Sequence, residues 1–307
     1  MSELLEGVLP VHKPAGFTSH DVVAKARRLL RERRIGHTGT LDPDVTGVLP
    51  LCIGKATRIV EYLQELPKEY EAELTIGYAT DTEDSSGAVL TQLDQVELDE
   101  ETFRAALNRF VGVIEQTPPM YSAVKVNGKR LYELAREGVV VERASRQATI
   151  HDIQLLSFDS STRYPKALLR VRCSKGTYIR TLCVDIGKSL GYPAVMSKLI
   201  RTETSGIPLS RCYTLEEIEQ LTQDGKLEAA LIPVEEAISY LPSVRLSADL
   251  VIMARNGMRL PVAGTIKSEL GEQSLVRVFI EQDFIGIYRL DSEEEQLLPV
   301  KVFSTGR

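Results

Sequence analysis

The spacing of apolar and polar residues changes period several times along the chain, and each period predicts an element. A short apolar stretch, "VLPVH", predicts a strand. After it Ser19 can cap a helix whose Val22, Val23, Ala26, Leu29 and Leu30 follow helical spacing. "KATRIVEYLQEL" predicts a second amphipathic helix. In "KEYEAELTIG", Tyr70, Ala72, Leu74 and Ile76 alternate with Glu69, Glu71 and Glu73, the pattern of a half-buried strand. "ETFRAALNRFVG" predicts a helix, "ATIHDIQLLSF" and "ALLRVRCS" strands, and "TYIRTLCVDIGKSL" a helix starting just beyond Gly176. Thr214 and Glu217 form a capping box at the head of "TLEEIEQLTQDG". Helices and strands mix without regular βαβ alternation, so the expected class is α/β (α+β) with a mixed, largely antiparallel sheet.

Near Leu241-Pro242 the character changes. One short helix, "SADLVIMARNG", precedes the short strands "LVRVFIE", "FIGIYRL" and "LLPVKVF", which suggests a small β-barrel-like second domain. The expected division is residues 1–240 and 241–307. A chain of 307 residues accommodates one large core with a small companion.

Composition narrows the class. At 43% hydrophobic and 26% charged, with no apolar run of the ~18 residues that a membrane span needs, the chain reads as globular. Its first residues, "MSELLEGVLPVHKPAG", are acidic and soon broken by Pro and Gly, unlike a signal or transit peptide, so the expected location is the cytoplasm. Cys52, Cys173, Cys183 and Cys212 form no CxxC pair and lie in apolar stretches, which points to reduced structural thiols rather than zinc ligands. The net charge of −6 argues weakly against a nucleic-acid partner, yet six basic residues and one acid lie between Lys25 and Arg34. A solvated helix face would carry the same run.

"GHTGTLDPDVTGVLP" sets two acids, Asp42 and Asp44, among three glycines and two prolines. Proline directly after Asp42 fixes the backbone. Such rigidity suits an acid that must meet a reacting carbon in line, although an Asp-Pro turn in a structural loop has the same sequence. Two tempting motifs fail. Gly54-Lys55 lacks the upstream glycine and the following Ser or Thr of a P-loop, and "DTEDSSG" has Ser86 where a calcium loop needs Gly. The histidines are scattered, so no metal ligand set and no cofactor is expected.

The motifs "KPAGFTSHD", "GHTGTLDPDVTGVL", "TDTEDSSG", "PPMYSAVKVNGKRLYELAR" and "SKGTYIRTL" occur here in one order. In that order they resemble the TruB family of bacterial pseudouridine synthases, which isomerise uridine 55 in the T-loop of tRNA. The likeness runs from the N-terminus into the C-terminal region, where "FIGIYRL" to "LPVKVF" more weakly resembles the family's PUA domain. The resemblance implies that Asp42 is the single catalytic aspartate, attacking ribose or base so that the glycosidic bond breaks and re-forms at carbon 5.

It further implies that Tyr70 lies against the target base and assists proton removal. Arg180, in the family's "TYIR" with Tyr178, would pair with Asp42 and orient it. Leu199 would pack the site floor, and His37 would fill the stack vacated by the extruded base. Lys13, Lys55, Arg58 and the basic run with Arg31, Arg33 and Arg34 are candidate phosphate contacts. The expected partner is the tRNA T-arm, with no obligate protein partner and a monomeric chain. Two rivals stay open: a tRNA-binding or folding protein with secondary chemistry, and an N-glycoside hydrolase, which would release uracil rather than re-attach it.

Overall fold

The structure is a computed structural model and describes residues 5–261, 275–291 and 295–303. Strand β1 (Gly7–Lys13) leads through helix α1 (Ser19–Leu30) to β2 (Ile35–His37) and β3 (Thr46–Ile53), then through α2 (Val60–Glu65) to β4 (Lys68–Ile76). A hairpin of β5 (Tyr78–Thr80) and β6 (Val89–Gln92) precedes α3 (Glu100–Leu107) and β7 (Gly112–Gln116). A two-residue pair, β8 (Lys125–Val126) and β9 (Lys129–Arg130), runs into α4 (Leu131–Arg136). Next come β10 (Arg146–Asp159), β11 (Lys166–Cys173), α5 (Ile179–Ser189), β12 (Ala194–Thr204), β13 (Ile207–Pro208), α6 (Leu215–Gln223) and α7 (Val234–Ala237). The last elements are β14 (Ser243–Leu246), α8 (Val251–Arg255), β15 (Leu260–Pro261), β16 (Leu275–Ile280), β17 (Asp283–Asp291) and β18 (Gln296–Val302).

The main sheet has the order β1-β3-β12-β4-β11-β10-β7, with β2 added on β3 and β13 on β12. Every neighbouring pair is antiparallel except β12 and β3, which run parallel where Ile200 faces Thr46 and Arg201 faces Gly47. The mixed, largely antiparallel expectation holds. Alternation in β4 acts as its sequence requires: Tyr70, Ala72, Leu74 and Ile76 are buried while Glu69, Glu71 and Glu73 stay partly exposed. On that buried face β4, β11 and β12 pack against Phe103 and Leu107 of α3 and Ile179, Leu182 and Ile186 of α5. Each such side chain contributes about 1.5–3 kcal/mol on burial. A second cluster joins β1 and β3 to α1 and α6 through Leu9, Leu49, Val22, Val23 and Ile218.

Two local expectations are corrected. The cap of α1 is Thr18, whose hydroxyl accepts the Asp21 N–H while the Asp21 carboxylate accepts the Thr18 N–H. Ser19 is the first helical residue, and its hydroxyl is engaged elsewhere. "KATRIVEYLQEL" is not one α-helix: residues Gly54–Ile59 form a 3₁₀ segment and only Val60–Glu65 are α-helical. The capping box of α6 is present as read, between Thr214 and Glu217.

Strands β14-β16-β17-β18-β15 build a second, five-stranded sheet, with β14 and β16 parallel and the rest antiparallel. It is not isolated from the first. Ile287 and Phe303 share a cluster with Val8, Ile59, Leu63, Ile232 and Ile238.

Candidate active site

Between β2 and β3 the chain makes the loop that carries Asp42, and four contacts from distant segments hold it. Ser19 at the head of α1 accepts the Leu41 N–H at 2.9 Å. Lys13, the last residue of β1, donates to the Pro43 carbonyl at 2.9 Å and to that of Pro14 at the same distance. The Gly16 N–H also reaches the Pro43 carbonyl, at 3.0 Å. From β12, Arg201 donates to the Gly39 carbonyl at 3.1 Å. The segment "HKPAGFTS" is thus a clamp on the aspartate loop. Gly16 turns with φ +79°, a conformation that L side chains adopt rarely, and this permits the chain to double back.

Asp42 projects from this clamped loop with its side chain 46% exposed, 3.0 Å from the guanidinium of Arg180, which is only 7% exposed. Arg180 belongs to the first turn of α5, where the helix dipole does not favour a cation. Its charge is met from outside the helix. Besides Asp42, the guanidinium donates to the carbonyls of Thr82 at 3.0 Å and Tyr121 at 2.8 Å, and the Asp84 carboxylate lies 3.9 Å away. Asp44 is exposed and lies off the pocket.

A cavity of about 340 Å³ opens beside the pair. Its walls include Asp42, Tyr70, Tyr178, Arg180 and Leu199, so five of the residues singled out from sequence converge there. Tyr70 is buried, and desolvation raises its phenol pKa while the nearby Arg201 guanidinium opposes the rise. Tyr178 is held at the N-terminus of α5 by Gln116, which accepts its N–H at 3.0 Å and donates to its carbonyl at 3.1 Å. His37 stands beside the pocket at the end of β2; its Nδ1 accepts the Gly39 N–H at 3.3 Å, and its ring meets that of His20 edge-on at 5.6 Å. Burial is the main cause that lowers the His37 pKa, which favours the neutral ring.

The phosphate role expected of Lys13 does not hold. The residue is fully buried and its ammonium is committed to two carbonyls, because the loop at Pro43 closes over it. Lys55 and the exposed Arg58 reach towards the C-terminal sheet. Lys55 donates to the Phe303 carbonyl, and Arg58 donates to the Val302 carbonyl while lying over the Phe303 ring, so both tie the main body to the end of β18 and the residue after it. Arg31, Arg33 and Arg34 are exposed at the end of α1 and in the turn that follows.

Among the pocket residues that the sequence did not single out are two buried cations. Arg201 is 2% exposed, donates to the Val48 carbonyl at 2.8 Å and joins the β12 backbone to the aspartate loop. Lys68 lies on the same buried face of β4 as Tyr70; its ammonium donates to the carbonyls of Gln64 and Leu66, and burial lowers its pKa to about 8. Lys68 was detectable, since it falls in phase with Tyr70 and Ala72. Arg201 carried a weaker signal: it is in phase with Leu199 and pairs with Tyr70, but the register shifts at Met196/Lys198 and Arg201/Glu203 leave only four residues of regular alternation there. Among the described residues no group of three or more His, Cys, Asp or Glu is arranged to hold a metal ion.

Residues 27–179 match the TruB family pseudouridylate synthase N-terminal domain, and residues 180–239 match the tRNA pseudouridylate synthase B C-terminal domain. The tRNA pseudouridine synthase B of Bacillus pumilus is 45% identical over 307 residues, covering 98% of this chain and 98% of that protein. Its Bacillus subtilis counterpart is 46% identical over 304 residues, covering 97% and 98%. Among solved structures, a chain of a Cbf5-Nop10-Gar1 complex superimposes with a TM-score of 0.73 at 28% identity, over 97% of this chain and 84% of that one. A chain of an H/ACA RNP bound to a substrate RNA containing 2'-deoxyuridine gives 0.72 at 26%, with the same two coverages. Motif order, near-complete coverage and fold agree, and the chain belongs to the TruB family of pseudouridine synthases.

Proposed function

We propose that this chain converts uridine 55 in the T-loop of tRNA to pseudouridine, with Asp42 as nucleophile and without cofactor or metal. The observation that carries the reading is the pairing of Asp42, half-exposed at a cavity, with the nearly buried Arg180. Breaking an N-glycosidic bond develops positive character on the sugar, which a carboxylate can stabilise or trap covalently. A guanidinium held by two backbone carbonyls has little freedom to swing away, so it presents Asp42 in one orientation. The relatives' names as tRNA pseudouridine synthase B support the substrate.

In this reading the extruded uracil stays in the cavity between Tyr70 and Leu199 while the sugar releases and recaptures it. Detachment must not let water in, and the apolar side chains of Leu41, Val45, Ile179 and Leu199 along the walls suit that need. Tyr70 assists removal of the carbon 5 proton, and Tyr178 contacts the nucleotide. His37 occupies the stack that the base leaves, a role suited to a neutral ring. Arg31, Arg33 and Arg34 meet RNA phosphates. Residues 1–240 form the catalytic domain. Residues 241–307, with the five-stranded sheet, form a PUA-like RNA-binding domain that adds contacts remote from the chemistry. The protein works as a monomer in the cytoplasm.

The test is incubation with an unmodified tRNA transcript, without added cofactor, followed by nucleotide-by-nucleotide mapping. Pseudouridine at position 55 in an intact chain is expected. Free uracil and an abasic site would identify a hydrolase instead, and unchanged tRNA would leave only a binding role.

A further inference from the structure

Glu83 sits in the left-handed region with φ +65°, between two residues that both approach Arg180. Glycine, asparagine and aspartate account for most residues of that conformation, so a glutamate there must be held by its surroundings. It is held on two sides. Its carbonyl accepts the Met196 N–H at 3.1 Å, which docks the loop against β12, and its carboxylate accepts the Thr181 hydroxyl at 2.7 Å. Thr181 follows Arg180 directly in the first turn of α5, and both side chains are almost completely buried.

Consecutive helical residues point in directions about 100° apart, so one turn of α5 grips the Thr82–Asp84 segment twice. Arg180 takes the Thr82 carbonyl at 3.0 Å and approaches the Asp84 carboxylate at 3.9 Å, while Thr181 takes the Glu83 carboxylate from another side. Thr82 O is one of the two carbonyls that fix the guanidinium facing Asp42. If the loop shifted relative to α5, that guanidinium would lose an anchor.

We propose that Glu83 is a positioning residue for the isomerisation: its contact with Thr181 locks the Thr82–Asp84 loop to α5 and thereby sets how Arg180 presents Asp42. The proposal rests on the functional reading above. Glu83 lies outside the cavity lining and acts only through its neighbours. Burial raises the pKa of its carboxyl, opposed first by the Thr181 hydroxyl and then by Arg180. Both acid and anion can accept from Thr181, and so can the amide of a glutamine.

The experiment compares single-turnover pseudouridine formation on a tRNA transcript, RNA affinity and melting temperature for six chains: the parent, Asp42→Asn, Glu83→Ala, Glu83→Gln, Thr181→Val and the double variant Glu83→Ala/Thr181→Val. Glu83→Ala is expected to slow the chemical step by about 100-fold, the scale of a small misplacement of reacting groups, with RNA affinity unchanged. Glu83→Gln should recover most of the rate. Thr181→Val should reproduce the Ala defect, and Glu83→Ala combined with Thr181→Val should be no slower than either alone. A parental rate in both Glu83→Ala and Thr181→Val, with Asp42→Asn inactive in the same assay, overturns the inference alone. So does equal loss in Gln and Ala variants, or a loss that appears in RNA affinity instead of rate. Absence of product from the parent chain overturns the functional reading and the inference with it.

Discussion

Arg180 Nη2 lies 3.0 Å from Asp42 Oδ2, and the arginine is nearly buried whereas the aspartate is half open. The two substitutions that break this pair should differ in kind. Asp42→Asn removes the charge and keeps the shape, so turnover should fall by several orders of magnitude while the fold and RNA affinity persist. Arg180→Met should also cripple turnover. In addition it leaves the Thr82 and Tyr121 carbonyls without their donor, so its melting temperature should drop where that of Asp42→Asn does not. Rate and melting curves on both variants check the contrast; pseudouridine formation at a near-parental rate by Asp42→Asn would remove it from the chemistry.

Short-range pattern made candidates of Asp42 and Tyr70, whereas Arg180, Tyr178, Leu199 and His37 were legible only through the motif resemblance. The phase of β4 placed Tyr70 on the buried face, and a rigid Asp-Pro loop marked Asp42. What failed was long-range. Lys13 ends a strand and precedes Pro14, and nothing near it tells that Pro43 will cover it thirty residues later. The second partners of Lys55 and Arg58, the Phe303 and Val302 carbonyls, were likewise out of reach of local pattern, lying more than two hundred residues away. Arg201 was hidden because register shifts on both sides leave only Lys198–Arg201 in regular alternation, too short a run for its phase with Leu199 to stand out. The capping error at α1 had a local cause. Thr18 and Ser19 can both cap, and the structure uses Thr18 because Ser19 is needed at Leu41.

Gly47 offers a test of the parallel junction between β3 and β12. Its φ is +117°, and a Cβ there would stand 2.2 Å from the Arg201 carbonyl oxygen and 2.6 Å from its nitrogen, both backbone atoms that cannot swing aside. Gly47→Ala should therefore destabilise the protein by about 3 kcal/mol or more, combining overpacking with an unfavourable backbone conformation. Denaturant unfolding measures it, and a loss indistinguishable from zero would show that β12 can retreat from β3. Because Arg201 also holds Gly39, activity should fall in the variant even at temperatures where it remains folded.

Burial lowers the Lys13 pKa from 10.5 to about 8, with Asp44 and Asp42 opposing the fall. The unfolded chain keeps this proton up to about pH 10.4, so between those two values it binds more protons than the native state. Stability owed to this residue must then rise with pH across that window and be level below it. Lys13→Met cannot show the effect. Subtracting the variant's unfolding free energy from the parent's at pH 7, 8, 9 and 10 should give a difference that is flat at first and then grows. A difference that stays flat throughout would mean that Lys13 keeps an ordinary pKa in the folded protein.

A chain ending at Tyr240 tests how far the second sheet is separable. Ile287 and Phe303 pack in one cluster with Ile59, Leu63 and Ile238, and Arg58 lies 5.2 Å from the Phe303 ring centre. Truncation exposes that cluster, so the melting temperature should fall even though the aspartate loop and Arg180 keep all their contacts. The shortened chain should still form pseudouridine at temperatures where it is folded, with weaker RNA affinity. A folded but inactive product would show that the second sheet is required for the chemistry.

The exposed arginines at the end of α1 separate RNA handling from catalysis. The C-terminal cap, Arg31, adopts a left-handed conformation with φ 53°, and the chain then turns through Arg33 and Arg34 into β2, the strand that ends at His37. A phosphate backbone lying over this turn would enter directly beside the aspartate loop. Replacing Arg31, Arg33 and Arg34 with glutamine should weaken tRNA binding and flatten its salt dependence, each lost contact lowering the slope by roughly 0.7 to 0.9. None of the three lines the cavity, so the single-turnover rate at saturating RNA should stay near that of the parent. Titrations at several salt concentrations, paired with those rates, measure both halves. Normal affinity with an unchanged slope would mean that these arginines are a solvated surface and that RNA reaches Asp42 from another side.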